Sequence, residues 1–317
     1  MRILAPALFT GLLIAQQESP DARAVPPRLN TAEAALPPVV RDHLEEAIRI
    51  RDYFKAEQIL VHEIDRNPRS PSLLTLAAGV FFLDGRYLNA ATALKKAEAV
   101  APLDDPSRFT LAMSYIAMDR RDWARPELEK LAQKNAVSPL YLYWLARLDY
   151  DAQQYPAAIQ KLERVIVLDP RFMKAYDNLG LCYEAAGRLD DAVTTYQRAV
   201  DLNRQGMPVS PWPPLNLGTL LVKLGHFDEA EKYLHESLVA DPKFAQAHYS
   251  LGILLEKQGQ DEDAIRELER AVALDAAYAQ PHYALGRIYR RNGNSAKAGA
   301  ELDEFERLKQ ANPQKRP

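Results

Sequence analysis

The sequence has too few cysteines for a disulfide-bonded protein, no excess of positive charge and no N-glycosylation site. It contains one cysteine, Cys182, so no disulfide can form within the chain. Its 40 lysines and arginines are nearly balanced by 43 aspartates and glutamates, giving a formal net charge of −3. That balance excludes the strongly basic surface of a typical nucleic-acid-binding protein, so we expect no nucleic-acid partner. No Asn-x-Ser/Thr site occurs, which favours a bacterial over a eukaryotic exported protein.

A short apolar stretch near the amino terminus, residues 3–15, follows the basic Arg2. It is too short to span a bilayer comfortably, but its length suits the hydrophobic region of a secretory signal. Residues 16–36 are polar and rich in proline. We therefore predict a signal peptide over 1–15, cut after Ala15, a linker over 16–36, and a periplasmic or secreted protein without a stable membrane span. An uncleaved anchor is the alternative.

An internal repeat fills the rest of the chain. Residues 246–252, QAHYSLG, return thirty-four residues later as QPHYALG at 280–286. Stepping by thirty-four in both directions, with four inserted residues at 207–210, gives eight units and a basic tail over 313–317. The units are 37–70, 71–104, 105–138, 139–172, 173–206, 211–244, 245–278 and 279–312.

Each unit has the pattern of two amphipathic helices. In 173–206, apolar and small residues between Tyr176 and Tyr183 fall on one helical stripe. Gly187 then suits a helix end, because glycine readily adopts the left-handed conformation found there. Asp190 and Asp191 begin a second helix, where negative charge complements the exposed amides.

Three residue types recur in phase along the units. Turn glycines occur as Gly85, Gly187, Gly225, Gly259 and Gly293, and prolines after the second helix as Pro68, Pro102, Pro170 and Pro242. An alanine recurs in all eight units, as Ala56, Ala90, Ala124, Ala158, Ala192, Ala230, Ala264 and Ala298. With these positions in place, the chain resembles the tetratricopeptide repeat family over 37–312. The resemblance implies an all-α, right-handed superhelical solenoid of about eight antiparallel helix pairs with a concave groove.

Three units depart from the family pattern. His43-Leu44 replaces the usual Leu-Gly in the first unit, which suits a solvated terminal cap. Pro126 lies early in the second helix of the third unit, so we expect that helix to start late or to kink. The sixth unit opens with PWPP, so we expect its first helix to begin after Pro213 or Pro214.

No constellation of catalytic or metal-binding residues emerges. His248 and His282 occupy the position where the family has a packing aromatic, and stacked units place them roughly 8–10 Å apart, too far for one metal ion. Cys182 lies beside the buried position of Tyr183 and is expected in the core. No Gly-x-Ser-x-Gly motif or phosphate-binding glycine loop occurs. We therefore predict a non-enzymatic protein without a metal or cofactor.

The resemblance implies that first-helix positions 2, 5, 6, 9, 12 and 13 face the groove. In units two to four these positions are unusually apolar, and we expect Tyr143 and Trp144 to anchor a partner. Packing between units is the alternative for about half of the apolar set, which comprises Leu76, Phe82, Phe109, Met113, Ile116, Leu140, Tyr143, Trp144 and Tyr150. Asn178 and Asn216 both lie at position 6, where the resemblance implies that an asparagine can grip a peptide backbone.

The last two units carry a different set of candidate groove residues. Arg287, Arg290 and Arg291, with Tyr249 and Tyr283 nearby, could receive a carboxylate terminus or an acidic segment. A solvated cap at the end of the repeats is the alternative interpretation.

Together these features predict an exported scaffold that binds a peptide segment of a partner protein in its groove. On that prediction, Trp144→Ala or Asn178→Asp weakens partner capture without unfolding the chain. The alternative is a self-associating structural component of an envelope or secretion assembly, in which copies associate through the open carboxy-terminal end.

Overall fold

The computed structural model describes residues 36–311, so the predicted signal peptide, most of the linker and the basic tail lie outside the described residues. Within 36–311 the chain forms sixteen α-helices and no strand. The helices are α1 Pro38–Arg49, α2 Tyr53–Arg66, α3 Pro71–Leu83, α4 Tyr87–Glu98, α5 Asp105–Ala117, α6 Arg121–Lys134, α7 Pro139–Asp151, α8 Tyr155–Leu168, α9 Met173–Ala185, α10 Leu189–Arg204, α11 Trp212–Leu224, α12 Phe227–Ala240, α13 Ala245–Lys257, α14 Asp261–Leu274, α15 Ala279–Arg291 and α16 Ser295–Ala311.

The helices form successive pairs, each with an odd-numbered first helix and an even-numbered second helix. Three residues separate the two helices of seven pairs, and two residues separate α11 from α12. Second helices contact the first helix of the following pair, as α10 contacts α11. The alanine that recurs in all eight units is buried in every second helix. The predicted all-α fold built from repeated helix pairs is confirmed.

Contacts divide the described residues into two compact units, 36–148 and 149–311, with the division inside α7. We name them the amino-terminal and the carboxy-terminal unit. In the amino-terminal unit, one core cluster includes Leu44, Leu60 and Leu73, and a second includes Leu94 and Leu111. Helix α3 contributes residues to both clusters, which explains why its sequence is apolar on nearly every side.

The turn between the two helices of a pair uses the left-handed backbone conformation throughout. The five predicted turn glycines have φ between 74° and 83°. In three units that lack the glycine, Arg51, Asp119 and Gln153 adopt φ between 57° and 61°. The turn geometry is therefore kept even where a side chain makes that conformation less favourable.

Two helices begin earlier than their prolines suggest. Helix α6 begins at Arg121 and runs through Pro126, so the expected late start is wrong, whereas the kink stays a prediction; Ala124 and Leu128 on either side of the proline are fully buried. Helix α11 begins at Trp212, ahead of Pro213 and Pro214. Proline is compatible with a first helical turn because the amides there have no partner within the helix.

Candidate protein-interaction surface

In the carboxy-terminal unit, side chains link each first helix to the next. The Asn216 amide on α11 donates to Asp177 Oδ1 on α9 over 2.9 Å. The hydroxyls of Thr219 on α11 and Ser250 on α13 lie 3.1 Å apart. Arg287 Nε on α15 donates to Glu256 Oε1 on α13 over 3.0 Å. The first helices thus present one continuous row of polar contacts.

We name this side of α9, α11, α13 and α15 the first-helix surface. It consists of the residues at the groove positions of these four helices. Its members include Asp177, Asn178, Glu184, Asn216, Thr219, Lys223, Tyr249, Ile253, Glu256, Lys257, Tyr283, Arg287, Arg290 and Arg291.

Tyr143 and Trp144 lie in the interior of the protein. Tyr143 is 2% exposed and Trp144 is 4% exposed, and their rings pack edge to face with centroids 5.6 Å apart. The Arg147 guanidinium lies 5.3 Å from the centre of the Trp144 ring. A partner cannot reach either ring without a rearrangement, so we assign both to packing rather than to partner anchoring. Four further members of the apolar set, Leu76, Phe82, Phe109 and Met113, are also buried, so we assign them to packing as well.

The two asparagines expected to grip a peptide backbone make hydrogen bonds within the protein. Asn216 is buried and donates to Asp177, as described above. The Asn178 amide donates to the backbone carbonyl of Lys174 over 2.9 Å, one turn earlier in α9. A bound peptide would therefore have to compete with these bonds.

Tyr249 and Tyr283 are half-buried, each against another ring. Tyr249 packs against Tyr278 with centroids 5.3 Å apart, and Tyr283 against Phe305 at 5.2 Å. Burial raises the pKa of the Tyr249 phenol to about 12, and the nearby Arg287 cation opposes that rise. Both rings contribute part of their surface to the packing and present the remainder on the first-helix surface.

The structure brings two of the three predicted arginines together on one buried carboxylate. Glu256 Oε1 accepts from Arg287 Nε over 3.0 Å and from Arg291 Nη1 over 3.1 Å. Arg291 also pairs with Asp261 over 2.5 Å, whereas Arg290 is exposed. Glu256 was not among the predicted site residues, because the sequence pattern does not show which carboxylate lies between α13 and α15.

Two lysines on the same surface were also missed. Lys223 and Lys257 occupy motif position 13 in consecutive units, the position that Arg291 occupies in the last unit. Lys223 forms an ion pair with Glu184 on α9. The signal in the sequence is that motif position 13 is basic in each of the last three units, which appears when one position is compared across units.

Each of the two repeated histidines pairs with a glutamate of its own second helix. Nδ1 of His248 lies 2.6 Å from Glu267 Oε2, and Nδ1 of His282 lies 2.7 Å from Glu301 Oε2. Arg108 makes the equivalent contact with Glu127 in the third unit, over 2.5 Å. These side chains join the two helices of a pair.

The sequence comparison decides the family. Four segments of the chain match the sequence model of the tetratricopeptide repeat: residues 109–170, 145–206, 215–280 and 262–314, which together cover more than half of the chain. This chain belongs to the tetratricopeptide repeat family.

Curated tetratricopeptide repeat relatives match parts of the chain. TPR repeat-containing protein YpiA of Bacillus subtilis (strain 168) is 26% identical over 199 residues, which is 61% of this chain and 44% of YpiA. Small glutamine-rich tetratricopeptide repeat-containing protein 2 of Mycosarcoma maydis is 32% identical over 89 residues, 27% of this chain and 25% of that protein. The chain spans less than half of the length of these relatives.

Solved structures of tetratricopeptide repeat proteins share the fold. One from Parabacteroides merdae ATCC 43184 has a TM-score of 0.65 at 15% identity, covering 78% of this chain and 97% of its own. Yeast Tom70 has a TM-score of 0.64 at 19% identity, covering 92% of this chain and 65% of its own. At these identities the likeness shows the fold alone.

Tetratricopeptide repeat proteins are typically non-enzymatic scaffolds for protein–protein interaction, and Cys182 fits that class. The thiol is fully buried, and burial raises its pKa to about 12. A nucleophilic cysteine needs the opposite shift, because the thiolate is the reactive form. Within residues 36–311, none of the helices has the length and apolar character needed to cross a membrane.

Proposed function

We propose that this tetratricopeptide repeat protein binds an extended peptide segment of a partner protein on its first-helix surface. The observation that carries the proposal is the row of side-chain hydrogen bonds that joins α9, α11, α13 and α15. These bonds hold the partly exposed Thr219 and the exposed Arg287 in fixed positions before a partner arrives, whereas the buried Asn216 and Asp177 satisfy each other. Fixing groups in advance favours affinity because less conformational entropy is lost on binding.

The residue types on this surface also suit a protein partner. Tyr249, Tyr283, Arg287 and Arg291 belong to the types that dominate the energetics of protein interfaces. The half-buried Ile253 adds apolar area between the polar groups. By contrast, the outer sides of the second helices carry exposed charged residues such as Lys232 and Arg270, which suit contact with solvent.

The double substitution Thr219→Arg/Ile253→Arg tests this proposal. Both residues lie at motif position 9 of neighbouring first helices, so two long cationic side chains there would obstruct a peptide that crosses the surface. We expect peptides selected by the native chain from a random twelve-residue array to lose at least about tenfold in affinity, or 1.4 kcal/mol. Fluorescence anisotropy with the selected peptides measures this.

The matched control is Thr194→Arg/Ala273→Arg, which adds the same charge at exposed positions of α10 and α14. It should leave the affinities unchanged, and thermal unfolding followed by circular dichroism should show that both variants remain folded. Equal affinities of the selected peptides for the native chain and for Thr219→Arg/Ile253→Arg would contradict the proposal. So would an array from which the native chain selects nothing.

We further propose that the protein is exported by a cleaved signal over residues 1–15. The basic Arg2 followed by the apolar stretch at 3–15 supports this. Expressed in a bacterial host, the chain should be recovered outside the cytoplasm with Gln16 as its first residue, as read by amino-terminal sequencing. Leu12→Arg/Leu13→Arg interrupts the apolar stretch and should leave the chain uncut in the cytoplasm. A native chain that keeps Met1 and stays in the cytoplasm would contradict export.

A further inference from the structure

One edge of the first-helix surface carries a column of cations. Lys223, Lys257 and Arg291 occupy motif position 13 on α11, α13 and α15 and are exposed. Arg290 precedes Arg291, and Arg287 lies one helical turn earlier on α15. We name these five side chains the cationic edge. They come from three consecutive repeats, so the edge crosses the first helices rather than following one of them.

Carboxylates compensate part of this charge. Glu184 pairs with Lys223, Glu256 pairs with both Arg287 and Arg291, and Asp261 pairs with Arg291. Among the described residues, no carboxylate lies within 4 Å of Lys257 or Arg290. Five cations therefore face three carboxylates, which leaves two positive charges without a paired carboxylate.

Other acidic residues lie at the starts of the second helices, close in sequence to this edge. Asp228, Glu229, Glu262 and Asp263 are the residues concerned. Asp263 pairs with Arg266 on its own helix, and none of the four pairs with the cationic edge within 4 Å among the described residues. Asp261, at the start of α14, contacts Arg291, so the acidic start of that helix lies beside the edge and would repel an anion that extended past it.

The buried Glu256 gives the edge a defined geometry. Its carboxylate side chain is 5% exposed, and one of its oxygens accepts from both Arg287 and Arg291, so the two guanidinium groups lie side by side. Arg287 uses Nε and Nη2 in this contact, which leaves its Nη1 group for another acceptor. That group, the Arg290 guanidinium and the Lys257 ammonium are hydrogen-bond donors that match carboxylates.

We propose that the cationic edge binds an acidic segment of the protein partner, with one carboxylate on Lys257 of α13 and the next on Arg290 and the Nη1 group of Arg287, both on α15. This inference rests on the proposed function and names its ligand chemistry. Packed helices are separated by roughly 8–10 Å, and a polyproline II segment advances about 9.3 Å in the three residues of one turn. A segment with an acidic residue at every third position therefore presents one carboxylate to each successive repeat.

A protein segment suits this edge better than a nucleic acid. Nucleic-acid sites neutralise many phosphates, and log Kobs falls with log salt in proportion to that number. Two cations without a paired carboxylate, beside the acidic start of α14, match a segment of few and spaced charges. Carboxylates at every third residue provide that spacing.

The test uses the full chain and a labelled twelve-residue probe in which Glu-Ser-Pro is repeated four times. We expect the probe to bind measurably, and a probe with glutamine in place of glutamate to bind at least about tenfold more weakly. The double reversal Lys257→Glu/Arg290→Glu should weaken binding of the acidic probe more than about tenfold. Fluorescence anisotropy at low and moderate salt measures these affinities.

The matched control is Lys232→Glu/Arg270→Glu, which makes the same charge change at exposed positions of α12 and α14. Binding of the acidic probe to this variant should stay within about twofold of the native value. A similar loss in both variants would overturn the proposal, as would equal binding of the glutamine probe. Displacement of the acidic probe by single-stranded DNA at equal concentration would assign the edge to polyanions in general and would also overturn it.

These results separate the two proposals. Suppose that array-selected peptides bind the native chain and lose affinity for Thr219→Arg/Ile253→Arg, while the acidic probe does not bind the native chain. The acidic-segment inference then fails and the proposed function stands. If no peptide is sensitive to that substitution, the proposed function fails.

Discussion

Replacing Gly180 by alanine should lower the free energy of unfolding by about 1–3 kcal/mol, the range for overpacking a filled core. A Cβ atom at Gly180 would lie 2.5 Å from two ring carbons of Tyr196 on the second helix of the same pair. Tyr196 is fully buried and its hydroxyl donates to Glu184 over 3.2 Å. Because the ring is enclosed and held at its tip, the helices themselves must separate. Urea unfolding of the native chain and the variant measures the difference.

The matched control is Gly252→Ala, at the same motif position two units later. There the added Cβ would lie 2.8 Å from Cγ and 2.9 Å from Cδ2 of Leu268 and 3.3 Å from the Ala264 carbonyl oxygen, so the leucine must shift by a few tenths of an ångström. The chain already contains an alanine facing a leucine at these two motif positions, since Ala78 and Leu94 in the second repeat correspond to Gly252 and Leu268 and share a core cluster. Alanine also favours a helix interior over glycine by roughly 0.5–1 kcal/mol. Gly252→Ala should therefore be close to neutral.

A second substitution locates the cause. If the Tyr196 ring is responsible, Tyr196→Leu should cost less in the Gly180→Ala background than in the native chain, and a double-mutant cycle measures that coupling. Equal losses in the free energy of unfolding for Gly180→Ala and Gly252→Ala would count against this account. So would strictly additive effects of Gly180→Ala and Tyr196→Leu.

The sequence predicts the fold well because the information is local and repeated. Gly187, Asp190 and the buried Ala192 specify a helix end, a helix start and a close approach within twenty residues, and the same signals recur in most units. Where the turn glycine is absent, as at Gln153, the flanking helices still impose the left-handed turn. The misplaced start of α11 comes from taking proline as a helix break, although the amides of a first turn have no partner within the helix. Pro126 lies beyond the first turn of α6, where the buried Ala124 and Leu128 pack on either side of it.

The candidate site was harder to predict because motif position fixes the side of a helix but not its distance from the next one. Trp144 and Arg287 both occupy positions that the family pattern assigns to the groove, yet the first is buried and the second is half-exposed. The pairing of Arg287 with Glu256 depends on how α13 and α15 approach each other. Such contacts between repeats leave no local pattern in the sequence.

The burial of Trp144 reverses the expected result of its substitution. Trp144→Ala should destabilise the protein by about 3–5 kcal/mol, as for other large buried aromatic residues, rather than weaken partner capture in a stable chain. The indole Nε1 is buried without a hydrogen-bond partner in the part of the chain that the structure describes. Trp144→Phe removes that group without stranding an acceptor, so we expect a loss of only about 1 kcal/mol, mostly from the smaller ring. Urea unfolding measures both losses.

Trp123, which also lies in the amino-terminal unit, provides the matched control. It is 50% exposed, with its ring 5.5 Å from that of Tyr115 and 5.1 Å from the Arg120 guanidinium. Trp123→Ala removes one edge-to-face contact and one cation–π contact at the surface, so the free energy of unfolding should fall by about 1–2 kcal/mol. If Trp144→Ala instead unfolds at the same urea concentration as the native chain and loses affinity for the array-selected peptides, Trp144 is an anchor after all. A loss in Trp144→Phe as large as in Trp144→Ala would instead show that the indole N–H has an acceptor.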